Sequence, residues 1–147
     1  MRIRLANHQS DNRIPQRWLS GLARRALRHL KLEGPGWMSI SFVDRTTMMR
    51  VNWQLLKHRG LTDVLSLKYD ELGGVPASQG VVGEVIVSPT FAKQYASEHG
   101  LSYRDELARY VVHGLLHWAG YDDRTPSQRR RMRIMENRLL ARCAQPS

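Results

Sequence analysis

The spacing of apolar residues changes along the chain, and these changes divide it into predicted strands and helices. Residues 2–6 and 37–43 alternate apolar and polar side chains, a period typical of half-buried strands. Residues 62–69 and 81–87 are rich in residues that favour strands and complete a set of four. The polar face predicted for the second strand consists of Ser39 and Ser41.

Apolar residues at three- and four-residue steps predict five helices between and after these strands. The first covers residues 15–32, with Pro15 suited to its first turn and Gly34 just beyond its end. The others are expected at residues 44–57, 89–99, 102–119 and from 125 onward. Three of them follow residues that commonly cap helix N-termini, namely Asp44, Ser88 and Ser102.

The length of 147 residues, 41% of them hydrophobic, suits one compact domain covering residues 1–147. No apolar run approaches the roughly 18 residues that a membrane-spanning helix needs, and the first ten residues lack the apolar core of a signal peptide. The single cysteine, Cys143, excludes an internal disulfide and fits a reducing compartment. We therefore expect a cytoplasmic protein.

Basic residues outnumber acidic residues by 23 to 13, which gives a formal net charge of +10. This balance favours a polyanionic partner, and it leaves RNA, DNA and anionic membranes open. The outer positions of the first and last predicted helices are rich in arginine. Solubility explains a basic helix face equally well. Membrane binding is disfavoured, because we expect the core to separate the two helices and no large aromatic face accompanies them.

Two histidines lie four residues apart on the helix predicted at residues 102–119. This spacing brings His113 and His117 onto one helix face, with Cβ atoms about 5–6 Å apart. Gly120 can end the helix and let the chain turn back, so that either Asp122 or Asp123 reaches the same point. Two imidazoles and one carboxylate suit a catalytic zinc site. The alternative is a pair of buried histidines that satisfy each other by hydrogen bonds.

The helical wheel favours the metal site over a buried histidine pair. Both histidines lie on an arc that they share with Glu106, away from the apolar stripe. Because Gly114 follows the first histidine, the pattern differs from the zinc-protease motif His-Glu-x-x-His, and peptide hydrolysis by that route is disfavoured. The stripe itself consists of Leu107, Val111, Leu115 and Trp118.

Three segments in fixed order carry a more specific pattern: TDVLSL at 62–67, GEVIVS at 83–88 and HGLLHWAGYDD at 113–123. Together they resemble the bacterial YbeY family of rRNA-maturation endoribonucleases. The resemblance implies an α+β, zincin-like fold with a mixed four-stranded sheet, about five helices and the metal-site helix at its centre. It also implies a metal-dependent hydrolase specific for single-stranded RNA, with a role in 16S rRNA maturation and ribosome quality control.

The same resemblance implies which side chains bind the metal. The family's first two zinc ligands correspond to His113 and His117, and the third, usually a histidine, corresponds to Asp123. An aspartate oxygen is an acceptable zinc ligand, but it makes the site less positive and leaves the identity of the metal less certain. Asp122 matches the signature aspartate before the last ligand and is expected to be structural.

A second departure concerns the arginine that the family carries six residues before the threonine of the TDVLSL segment. Without a gap, this position is Leu56. Lys57, His58 and Arg59 follow directly, so a cation from the same turn could still face the phosphate. We predict Arg59 first as the catalytic cation, with His58 or Lys57 beside it. The alternative is that residues 57–59 are only a polar helix end.

The preferred hypothesis is therefore zinc-dependent hydrolysis of an RNA phosphodiester, with the rRNA of the small ribosomal subunit as partner and no DNA substrate. The two departures motivate a first rival, a non-catalytic ribosome- or RNA-binding module with a structural or degraded metal site. A second rival is a metal-dependent hydrolase of a small ester or nucleotide.

Overall fold

The computed structural model describes residues 1–32, 34–56, 64–68 and 80–143. Within these ranges the chain forms four strands, β1 (Arg2–Asn7), β2 (Trp37–Phe42), β3 (Val64–Lys68) and β4 (Val81–Val87). The five helices in the same ranges are α1 (Gln16–His29), α2 (Arg45–Leu56), α3 (Pro89–His99), α4 (Tyr103–Trp118) and α5 (Pro126–Cys143). The predicted α+β class, with four strands and five helices, is confirmed.

The four strands form one mixed sheet in the order β1-β2-β4-β3. β1 and β4 flank β2 and run parallel to it, whereas β3 pairs antiparallel with the other side of β4. The expected mixed sheet is therefore confirmed. The zincin-like description of the fold stays a prediction.

The prediction that β2 is half-buried is wrong. Ser39 and Ser41 are 3% and 5% exposed, so the polar face of this strand is buried like its apolar face. The reason is position, because β2 is a central strand paired in parallel with both neighbours, and such strands are commonly buried on both faces of the sheet. The buried Ser41 hydroxyl donates a hydrogen bond to Glu84 Oε1 on β4, at 2.7 Å.

The first helix ends earlier than the predicted residue 32. Lys31 has a φ of +56°, a left-handed conformation that stops helical propagation. The backbone N–H groups of Lys31 and Leu32 donate to the carbonyls of Arg28 and Leu27 and so close the helix in a Schellman-type motif. Glycine is the usual residue at this position. Pattern reading missed the end because lysine gave no signal for it.

Two of the three predicted N-terminal caps are confirmed. Asp44 Oδ1 accepts the Thr47 N–H at 2.7 Å, and Ser102 Oγ accepts the Asp105 N–H at 3.3 Å. Hydrogen bonding to Thr47 lowers the pKa of the Asp44 carboxyl below its usual value. Ser88 lies at the start of α3 as predicted, but its side chain makes no capping hydrogen bond.

α4 lies at the centre of the structure and contacts β3, β4, α1, α3 and α5. Two glycines let it lie close to the sheet. A Cβ on Gly114 would lie 2.4 Å from Val85 Cγ1 and 3.0 Å from Val64 Cγ1. A Cβ on Gly83 of β4 would lie 2.1 Å from the indole Nε1 of Trp118. Both glycines belong to the segments that carried the family resemblance.

α1 and α5 contact each other, so the expectation that the core separates the two basic helices is wrong. The guanidinium Nε of Arg25 on α1 donates to the carbonyl of Cys143, the last residue of α5, at 2.7 Å. Both helices pack against α4, and this shared support makes them neighbours. Among the described helices, none combines the length and apolar character needed to cross a bilayer.

We expect Gly114→Ala to lower the free energy of unfolding by about 1–3 kcal/mol, the usual cost of overpacking a core. The added methyl group would overlap Val85 unless α4 moved away from the sheet. Urea denaturation of both proteins measures the difference. Gly34→Ala, just beyond α1, is the control, since no atom of the described residues outside its chain neighbours lies within 4 Å of a Cβ there. This control should change the free energy of unfolding by less than about 1 kcal/mol, and equal effects of the two substitutions would contradict the packing argument.

Candidate metal centre

α4 brings the two histidines together on one face, as the four-residue spacing predicts. The imidazole centroids of His113 and His117 are 4.6 Å apart, with the rings edge to face, and their Nε2 atoms are 3.1 Å apart. Each side chain is 28% exposed. Both imidazole rings are therefore partly exposed at the protein surface.

The chain then turns back over the end of α4 and supplies a carboxylate. Gly120 has a φ of +105°, and the N–H groups of Gly120 and Tyr121 donate to the carbonyls of His117 and Leu116. This turn places Asp123 Oδ2 at 3.5 Å from His113 Nε2 and 3.3 Å from His117 Nε2. The reversal expected from Gly120 is thus present in the structure.

Asp122, the other aspartate that the spacing allowed, faces away from the cluster. Its Oδ1 accepts the N–H of Asp123 at 2.9 Å, and its Oδ2 lies 3.4 Å from Arg124 Nε. Arg129 supports the same loop, because its Nη1 donates to the carbonyls of Asp123 and Arg124 at 3.3 and 3.2 Å. In the loop between α4 and α5, Asp123 therefore faces the histidines, and Asp122 makes contacts within the loop.

The geometry of these side chains fits a tetrahedral metal ion. One ligand atom from each of His113, His117 and Asp123 lies within 4.8 Å of the other two. Tetrahedral zinc bonds of about 2.0–2.2 Å place neighbouring ligand atoms roughly 3.3 Å apart. The separations of 3.1, 3.3 and 3.5 Å match this value. Three electron-pair donors at such distances repel one another unless a cation or shared protons lie between them.

A buried glutamate that sequence reasoning missed holds one of the histidines. Glu136 on α5 is 6% exposed, and its Oε2 lies 2.5 Å from His113 Nδ1. Its Oε1 accepts a hydrogen bond from Arg109 Nη1 at 3.0 Å. With the proton of His113 on Nδ1 and donated to Glu136, the Nε2 lone pair is directed toward the cluster. Glu136 therefore fixes the orientation of the His113 ring.

Opposing effects determine the pKa of Glu136. Burial raises it, but the hydrogen bonds from His113 and Arg109 and the positive charge of Arg109 lower it further, so the pKa lies below its usual value. The carboxylate stays ionised as an acceptor. A signal for Glu136 exists in the sequence, since it is the only acid in α5 and shares its helix face with buried Met132 and Leu139.

The residues predicted to face the phosphate, Lys57, His58 and Arg59, lie outside the described residues. The structure describes α2 only as far as Leu56. The assignment of Arg59 and His58 to catalysis therefore stays a prediction. Metal binding by His113, His117 and Asp123 also stays a prediction, and the structure brings these three side chains together as a group able to hold an ion.

Comparison with known proteins supports the resemblance seen in the sequence. A family profile described as Endoribonuclease YbeY matches residues 4–144. The chain belongs to the YbeY family. A relative named Endoribonuclease YbeY from Renibacterium salmoninarum is 35% identical over 138 residues, which cover 91% of this chain and 88% of that protein. The relative of the same name from Thermobifida fusca is 34% identical over 145 residues, covering 96% and 93% of the two chains.

A solved structure agrees with the fold. The solution structure of TM1509 from Thermotoga maritima superposes with a TM-score of 0.58, covering 99% of this chain and 96% of that chain. Sequence identity to it is 20%, so this likeness concerns the fold alone. The YbeY family assignment itself rests on the profile and on the relatives that are more than 30% identical.

We expect Glu136→Ala to weaken zinc binding by about 10- to 100-fold, the usual effect of losing a carboxylate that orients a ligand histidine. Competition with a chromophoric chelator measures the affinity without any reaction. Glu136→Gln should recover part of the loss, since its amide oxygen can still accept the His113 proton. Glu98→Ala, which removes an exposed acid on α3, is the control. Unchanged affinity in a folded Glu136→Ala protein would contradict the role assigned to Glu136.

Proposed function

We propose that this chain is a metal-dependent endoribonuclease that hydrolyses single-stranded RNA during maturation of 16S rRNA. The observation that carries the proposal is the cluster of His113, His117 and Asp123 in a member of the YbeY family. The relatives' printed name, Endoribonuclease YbeY, supports the class of reaction. One domain covering residues 1–147 would carry the activity.

The proposed metal is zinc, held by the Nε2 atoms of His113 and His117 and by a carboxylate oxygen of Asp123. A bound zinc ion lowers the pKa of water toward about 7 and neutralises charge on a phosphoryl oxygen, which suits attack on a phosphodiester. Asp123 adds a negative charge where the family usually has a neutral histidine. The ligand set therefore neutralises part of the ion's charge.

The remaining roles fall to the chain's own cations and to Glu136. Arg59, with His58 or Lys57, would contact the phosphate and stabilise the negative charge that develops on it. Glu136 keeps the Nδ1 proton of His113 in place, so that His113 remains a ligand. The net charge of +10 supports binding to an RNA backbone.

The small ribosomal subunit is the proposed source of the substrate RNA, which places the protein in the cytoplasm. A non-catalytic RNA-binding module is the second candidate. Two differences from the family pattern favour it, namely Asp123 in place of a histidine and Leu56 in place of an arginine. Measurements of metal content and of RNA cleavage together distinguish the two functions.

The neighbouring aspartates provide a matched test of this function. We expect Asp123→Ala to lose bound zinc, whereas Asp122→Asn should keep it, because only Asp123 reaches the histidines and the asparagine Oδ1 can still accept the Asp123 N–H. Cleavage of a single-stranded fragment of 16S rRNA should follow the zinc content and stop when a chelator is added. The readouts are zinc content by elemental analysis and cleavage on a denaturing gel.

The His117→Ala substitution is a second test of the same site. It removes one ligand and should abolish cleavage while the chain stays folded, since His117 is partly exposed. Cleavage that is equal in native and His117→Ala proteins and insensitive to the chelator would reject the proposed nuclease. Zinc binding without cleavage would favour the RNA-binding module, and turnover of small esters or nucleotides alone would favour the second rival.

A further inference from the structure

A cavity of about 890 Å³ lies between α4 and α5, and we name it the α4–α5 groove. Its lining includes the proposed ligands His113 and Asp123, so the groove opens directly onto the cluster. Along α4 the lining extends from Ser102 to His113, roughly 16 Å at 1.5 Å per residue. The groove is therefore an extended channel that continues from the candidate metal centre and exceeds the length of one nucleotide.

Two arginines of α5 line this groove. Arg129 and Arg133 are four residues apart, so they lie on one helix face, and both are exposed. Four other arginines of α5 do not line it, namely Arg130, Arg131, Arg138 and Arg142. Only part of the basic charge of α5 is therefore directed along the channel that leads to the ligands.

In the described part of the chain, four carboxylates also line the groove. Glu106 and Glu136 are each 6% exposed, and Arg109 lies between them, 3.8 Å from Glu106 and 3.0 Å from Glu136. Asp123 faces the histidines. Asp105 is exposed in the first turn of α4, eight residues from His113. Apart from the proposed ligand Asp123, whose side chain is 41% exposed, the exposed charges that line the groove near the cluster are those of Arg129 and Arg133.

We propose that the α4–α5 groove holds the single-stranded RNA that flanks the cleaved phosphate, with Arg129 and Arg133 on its phosphates. This inference rests on the proposed function and adds a path for the substrate. Tyr95 and Leu101, which are 40% and 50% exposed, give the groove an apolar surface for the bases. Phosphate contacts of this kind do not depend on base sequence.

Arg133 tests the path better than Arg129, because Arg129 also holds the loop that carries Asp123. Arg133→Glu is compared with Arg131→Glu, which makes the same charge change at an exposed position of the same helix outside the groove. A fluorescent single-stranded 16S rRNA fragment is titrated with each protein in chelator, with anisotropy as the readout. The chelator prevents cleavage, so binding is measured alone.

We expect Arg133→Glu to weaken binding about tenfold or more and to reduce the dependence of log K on log salt by about 1 for each lost phosphate contact. Arg131→Glu should change the affinity much less. Arg133→Ala should show a smaller loss in the same direction. Equal losses for Arg133→Glu and Arg131→Glu would overturn the groove, because they would show that net charge alone determines binding.

The outcome for the groove can be separated from the outcome for the nuclease. If cleavage is zinc-dependent but Arg133→Glu and Arg131→Glu bind RNA equally, RNA binding in the α4–α5 groove is rejected and the proposed nuclease activity is supported. If no variant or native protein cleaves RNA, yet Arg133→Glu selectively loses binding, the groove stands as an RNA site and the nuclease is rejected.

Discussion

The close approach of α4 to the sheet is the constraint on which the rest of the structure depends. Gly114 lies against Val85 and Val64, and Gly83 lies against Trp118, so a methyl group at either glycine would occupy space that a neighbour already fills. Protein interiors are densely packed, and such an overlap has to move one element as a whole. Since His113 precedes Gly114 directly, the depth of α4 also determines where its imidazole lies.

α5 contributes to the same centre from the opposite side through a buried carboxylate. Glu136 contacts both His113 and Arg109, so a single carboxylate connects α5 to α4. Burying a carboxylate has a large desolvation cost, which its two charged or hydrogen-bonding partners offset. A few polar contacts of Glu136 therefore link the position of α5 to the orientation of His113. The same contacts help to determine the shape of the groove between α4 and α5.

Local features of the sequence predicted most of the elements and the candidate ligands. The spacing of His113 and His117 and the glycine at 120 act within a few residues, so pattern reading can detect them. It left Asp122 and Asp123 as alternatives, because only the path of the turn separates them. Glu136 was missed because its partner lies 23 residues away and only tertiary packing brings them together.

Two wrong predictions, on the burial of β2 and on the separation of the basic helices, have the same origin. The serine face of β2 was predicted to be exposed because alternation describes one strand and contains no information about the neighbouring strands. The two basic helices were predicted to lie apart because their amphipathic patterns do not show that both apolar faces pack against α4. Both features depend on the position of an element in the complete fold.

The contact between α1 and α5 has an electrostatic consequence for the protein in solution. Two arginine-rich helices that pack side by side bring like charges near each other, and at 0.1 M ionic strength dissolved ions largely screen the repulsion between exposed charges more than about 10 Å apart. The same ions compete with the protein for a polyanion. Raising the ionic strength therefore has two opposite effects, since it weakens the repulsion between like charges on the two helices and also weakens the attraction of the basic chain for a polyanion.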